Sequence, residues 1–63
     1  MWIYVKIGTM PQQRVRVVRK RKPPKVGDLF QIYGPEKYSK KERMYCHEVR
    51  DMGNYDLYFL ERM

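Results

Sequence analysis

Seven of the twelve residues from Arg14 to Lys25 are basic: Arg14, Arg16, Arg19, Lys20, Arg21, Lys22 and Lys25. A run of this kind suits a phosphate backbone, because each neutralised phosphate releases condensed counterions and the gain in affinity needs no particular base sequence. Arginine adds a planar fork that pairs bidentately with phosphate. Lys6 supplies another cation upstream. Residues 1–27 hold eight Lys or Arg and no acid, whereas residues 28–63 hold six basic and seven acidic residues. The net charge of +7 therefore lies wholly in the first half of the chain. Such asymmetry bears on partners, not on fold. The same run also fits a solvated basic face, or an anchor for an acidic protein.

Aromatic side chains are interleaved with this charge. Trp2 and Tyr4 stand on the side of an extended segment opposite Ile3 and Val5, so one set is core and the other a surface platform. Tyr33, Tyr38 and Tyr58 are candidates to join such a platform. Bases stack on exposed rings without regard to sequence, each contact contributing about 1–3 kcal/mol. The competing use is packing, since a chain of 63 residues needs large rings to fill its core.

Catalytic chemistry finds little support. Cys46-His47 would place thiol and imidazole on opposite faces of a strand, where they cannot meet. One Cys and one His also fall short of the three or four protein ligands that zinc takes. The carboxylates Asp28, Glu36, Glu42, Glu48, Asp51, Asp56 and Glu61 are scattered, with no pair placed to hold one pKa up and the other down. The glycines are isolated and build no phosphate cradle. The expectation is a protein that is not an enzyme and needs no metal or cofactor.

These residues must be positioned by strands. Ala is absent and Leu scarce, while Val, Ile and Tyr are common, a mix that disfavours helix. Residues 2–7 alternate cleanly, with Ile3, Val5 and Ile7 on one face. Gly8-Thr9-Met10-Pro11 reads as a turn, and residues 13–21 as a second strand with Val15 and Val17 inward and Arg14 and Arg16 outward. The pair forms a hairpin. Arg19 and Arg21 begin on the valine side, so the strand must bulge or leave the sheet near Val18. Pro23-Pro24 excludes a central strand over residues 22–28. Val26-Gly27-Asp28 then leads into a third strand, Leu29-Phe30-Gln31-Ile32-Tyr33, and this turn before a hydrophobic strand resembles one seen in many SH3-like domains. Residues 35–43 read as a charged loop.

Residues 44–52 fit two readings. Ser39 and Glu42 match a capping box, and Tyr45, Val49 and Met52 recur at helical spacing, which gives an α+β alternative with a helix at about 39–52. As a strand, Tyr45, His47 and Val49 alternate with Cys46, Glu48 and Arg50, and Asp51-Met52-Gly53-Asn54 turns the chain into a last strand over 55–60. The strand reading is preferred, because a short Gly-Asn loop favours an antiparallel partner directly before it. The fold expected is a single all-β domain over 1–63, a five-stranded antiparallel barrel of SH3-like or OB-like type.

The expected function is binding, not catalysis. In the first reading the N-terminal hairpin grips DNA or RNA through Lys6, Arg14, Arg16, Arg19, Lys20, Arg21, Lys22 and Lys25, with Trp2 and Tyr4 in support. In the alternative, a small protein of the kind phages or plasmids encode binds and inhibits an acidic host protein. A homodimer through the last strand is expected only if that strand forms a sheet edge. One cysteine, no apolar run near the ~18 residues of a membrane span and no signal-peptide pattern predict a soluble protein of the reducing cytoplasm.

Overall fold

A computed structural model describes residues 1–18, 21–33 and 41–63. They form β1 (Trp2–Ile7), β2 (Gln13–Val17), β3 (Leu29–Tyr33), β4 (Lys41–Asp51) and β5 (Asp56–Arg62), and no helix. No helix of the described residues is long and apolar enough to cross a membrane. The strands close into a ring in the order β1-β2-β3-β4-β5, so each pairs with its neighbours in sequence. This is an up-and-down path, without the Greek-key crossing that marks an OB-fold. Successive strands are antiparallel, and an odd number closed in this way must meet in one parallel pair. That pair is β1 with β5, from Tyr4↔Leu57 to Ile7↔Leu60.

Alternation drives the ring shut. Ile3, Val5 and Ile7 of β1 face Val15 and Val17 of β2, Phe30 and Ile32 of β3, Met44 and Cys46 of β4, and Tyr58 and Leu60 of β5 in one buried cluster. Met10 and Val49 pack against its margins. No charged side chain is buried among the described residues. A chain this small gains from closure twice, by hiding apolar faces and by removing open edges. Over Leu57–Leu60, β5 is paired with β1 on one side and β4 on the other. Over that span β5 is therefore not a sheet edge.

The helix alternative at about 39–52 does not hold over the described part of that span, because Lys41–Asp51 is one long strand. Met44 and Cys46 alternate into the core, which outweighs the helical spacing of Tyr45, Val49 and Met52. The alternation breaks once, at a bulge between Cys46 and Glu48. The extra residue, His47, stays exposed and reverses the parity of the rest of β4, so Val49 turns inward opposite Tyr58. Strand two also ends sooner than predicted, at Val17, although the Val18 N–H still donates to the Gln31 carbonyl at 2.9 Å. The break expected near Val18 is therefore present. Arg19, Lys20, Tyr38 and Ser39 lie outside the described residues.

Turn chemistry fixes the connection that leads into β3. The Asp28 N–H donates to the Lys25 carbonyl at 3.0 Å, and Gly27 sits at φ +94° in the third position of that turn. The Lys25 N–H in turn donates to the Asp28 carboxylate at 2.9 Å. A positive φ at this position is what a type II turn demands. The space around Gly27 is open, with no atom within 4 Å of where a Cβ would stand, so substitution there is opposed by the backbone alone. Gly27→Ala is expected to cost about 1–2 kcal/mol in urea unfolding without changing the circular dichroism of the folded state. A change within about 0.3 kcal/mol would show that the turn relaxes freely.

Candidate nucleic-acid interface

The outward positions of β1 and β2 carry Trp2, Tyr4, Lys6, Arg14 and Arg16, all exposed. Ladder register brings them together: Trp2 pairs with Arg16, and Tyr4 with Arg14. The pairing continues across the sheet. Arg16 stands opposite Tyr33 of β3, and Tyr33 opposite Lys41 of β4. One row across four strands thus reads Trp2, Arg16, Tyr33, Lys41, with ring and cation in alternation. Beside it, Gln31 and Arg43 form the next outward pair.

The rings and cations are in contact. The Arg14 guanidinium carbon lies 4.9 Å from the centre of the Trp2 ring. Tyr33 is flanked by Arg16 at 5.6 Å and by the Lys41 ammonium at 5.9 Å. Each such contact is worth about 0.5–1 kcal/mol at an exposed site, enough to bias side-chain positions and too little to lock them. The rings stay open to solvent, with Trp2 57%, Tyr4 39% and Tyr33 37% exposed. Tyr4 also leans on Tyr55, with ring centres 4.7 Å apart.

Charge is segregated around the ring of strands. Lys6, Arg14, Arg16, Lys41 and Arg43 face outward from β1, β2 and the start of β4, and none of them pairs with a carboxylate among the described residues. Several of the described acids are engaged with other partners. Glu48 holds Arg50 at 2.7 Å, Glu42 holds Arg62 at 3.1 Å, and Asp51 accepts the Gly53 N–H at 2.8 Å. Glu61 lies 3.8 Å from His47. Among the described residues the outward face of β1, β2 and the start of β4 therefore carries cations without carboxylate partners.

The remaining basic residues named from sequence go to other places. Arg21 is exposed on the connection after β2. Lys22 and Lys25, with Pro23, Pro24 and Val26, line a hollow of about 440 Å³ against Val49, Asp56 and Tyr58. They border that hollow, not the ring-and-cation row. Tyr58 is buried and belongs to the core, so it is no part of a platform. Lys41 and Arg43 are the two cations of the face that sequence reasoning misses. Their place depends on the register between β3 and β4, which only the folded chain displays.

Cys46 and His47 separate as their alternation requires. Cys46 is fully buried and its thiol donates to the Glu48 carbonyl at 3.6 Å, while His47 points outward near Phe59, with ring centres 6.2 Å apart. Among the described residues no three of His, Cys, Asp and Glu gather closely enough to hold a metal ion. Burial pushes the Cys46 thiol up from its ordinary value of 9.0, and the Asp28 charge adds to this. Burial, with the nearby Asp56 carboxylate, likewise pushes the Tyr58 phenol up. Both groups are neutral when protonated, so the unfolded chain ionises first and binds fewer protons than the folded one. Stability should be level up to about pH 9 and then fall as pH rises through the raised folded-state values. Thermal melts between about pH 7 and pH 11 test this, and stability that climbs across the alkaline range would contradict it.

No family model matches the chain, and comparison with curated proteins and with solved structures finds no similar one.

Proposed function

We propose that the chain is a non-catalytic nucleic-acid-binding module whose contact surface is the outward face of β1, β2 and β3 with the first residues of β4. The observation that carries this reading is the row Trp2, Arg16, Tyr33, Lys41, in which rings and cations alternate across adjacent strands. Phosphates are met by Lys6, Arg14, Arg16, Lys41 and Arg43, and bases by Trp2, Tyr33 and, in part, Tyr4. Arg21 extends the positive surface beyond the end of β2. A free buried thiol at Cys46 is at home in the reducing cytoplasm, where such a partner is met.

Segregation of charge favours a polyanion over a generally solvated surface, because a solubilising face gains nothing from keeping its carboxylates away. The exposed rings favour nucleic acid over an acidic protein. Acidic side chains offer no flat π-face to stack on, whereas every base does. A mobility-shift titration against single- and double-stranded DNA and RNA, at low and at near-physiological salt, tests the proposal. Binding that weakens steeply with salt is expected. No shift with any nucleic acid, together with stoichiometric retention of one acidic protein after nuclease treatment, would put the protein-binding reading in its place.

A further inference from the structure

We infer that the nucleic acid is single-stranded and crosses the strands of the sheet along the row from Trp2 to Lys41, bases on the rings and phosphates on the intervening cations. This rests on the reading of the face as a nucleic-acid surface and adds to it the form of the strand and its path. Three features lead there.

The first is where the rings stand. Trp2 and Tyr33 are strand residues of β1 and β3, held through Arg16 by ladder pairing, and not on a projecting loop. In a duplex each base is covered above and below by its neighbours, so its π-face is out of reach of a ring fixed on a sheet. An unpaired strand can turn those faces outward.

The second is spacing. Two strands apart in a ladder is roughly 10 Å. Stacked bases rise about 3.4 Å each along one strand, so bases seated on Trp2 and Tyr33 cannot be stacked neighbours. The strand must be opened out, with each ring replacing a lost base neighbour. Arg16, standing between the two rings, then meets the phosphates of the linking backbone.

The third is the shape of the surface. A major groove admits a helix or a two-stranded ribbon. Here β1 and β2 are bonded into a closed ring and present a face four strands wide, broader than the ribbon that a major groove admits. A flexible single strand wraps over such a face without that constraint.

The test is fluorescence anisotropy with a labelled oligothymidylate of about 12 nucleotides, a length within the site sizes of small single-strand binders, against a hairpin duplex of equal charge. The wild-type chain is expected to prefer the single strand by about tenfold or more. Trp2→Ala and Tyr33→Ala should each weaken single-strand binding about 5- to 100-fold and leave duplex binding within about twofold. Trp2→Phe should restore most of the loss. Both positions are exposed and lie outside the core, so each variant should fold, which circular dichroism checks before binding is compared. Equal or tighter binding to the duplex, or ring substitutions that weaken both ligands alike, overturns the inference while leaving the face a nucleic-acid surface. Failure to bind either ligand overturns the underlying reading.

Discussion

Alanine at Ile32 should remove a large part of the chain's stability. Ile32 has no solvent exposure and sits in the middle of the ring, paired with Val17 on one side and Glu42 on the other. Truncating a buried isoleucine costs about 2–5 kcal/mol, the lost transfer energy plus the cavity left behind. Total stability at about 0.05–0.15 kcal/mol per residue amounts to roughly 3–9 kcal/mol for a chain of this length. One substitution therefore removes much of the whole. Thermal and urea unfolding followed by circular dichroism give the comparison. Leu29→Ala on the same strand serves as control, since Leu29 is 55% exposed and should change stability by no more than about 0.5 kcal/mol. A loss under about 1 kcal/mol at Ile32 would mean that the ring does not pack around it.

The second large effect is on binding, in its response to salt. Five cations lie on the proposed face: Lys6, Arg14, Arg16, Lys41 and Arg43. If all five neutralise phosphates of a single strand, log K falls with log salt at a slope of about −3.5. Raising salt from about 50 to 200 mM then weakens binding roughly 100-fold. Arg14→Ala with Arg16→Ala should bring the slope to about −2 and the loss over the same range to roughly 20-fold. Neither side chain touches the core, so the double variant should stay folded and lose no more than its two ring contacts, about 1–2 kcal/mol together. A slope that the double substitution leaves unchanged would place the contact surface elsewhere on the molecule.

Much of this arrangement is legible in the residues themselves. The alternation Trp2-Ile3-Tyr4-Val5-Lys6-Ile7 assigns both faces of β1 correctly, and the Val17-Val18 pair marks where β2 leaves the sheet. Asp51-Met52-Gly53-Asn54 announces the hairpin, which folds with its own Asp51 carboxylate bonded to the Gly53 N–H. Turn residues and period-two patterns are local, and local signals survive in a single sequence.

The features that escape such a reading depend on distance along the chain. Lys41 and Arg43 join the face only because Tyr33 and Gln31 pair with them, a register set beyond residues 34–40. No composition rule gives that offset. The bulge at His47 is equally silent, since an inserted residue looks like any other until its partner strand is known. It turns Val49 inward, and a simple alternation through β4 misses this. Tyr58 shows the limit of reading rings by type, for the same residue serves a platform or a core, and here a small ring of strands uses it as core. Lys22 and Lys25 look continuous with the basic run, yet the prolines between them carry the chain over a different hollow.

Trp2 is the sole tryptophan of the chain, and it stands in the proposed contact row, so its fluorescence reports on that surface alone. Titration with an oligothymidylate should quench Trp2 saturably as a base stacks on the indole, and added salt should reverse the quenching. Heparin, which carries the charge without the bases, should bind with little change in emission. Unaltered Trp2 emission at saturating oligonucleotide, or the same quenching by heparin, would contradict a surface that works by stacking bases between cations.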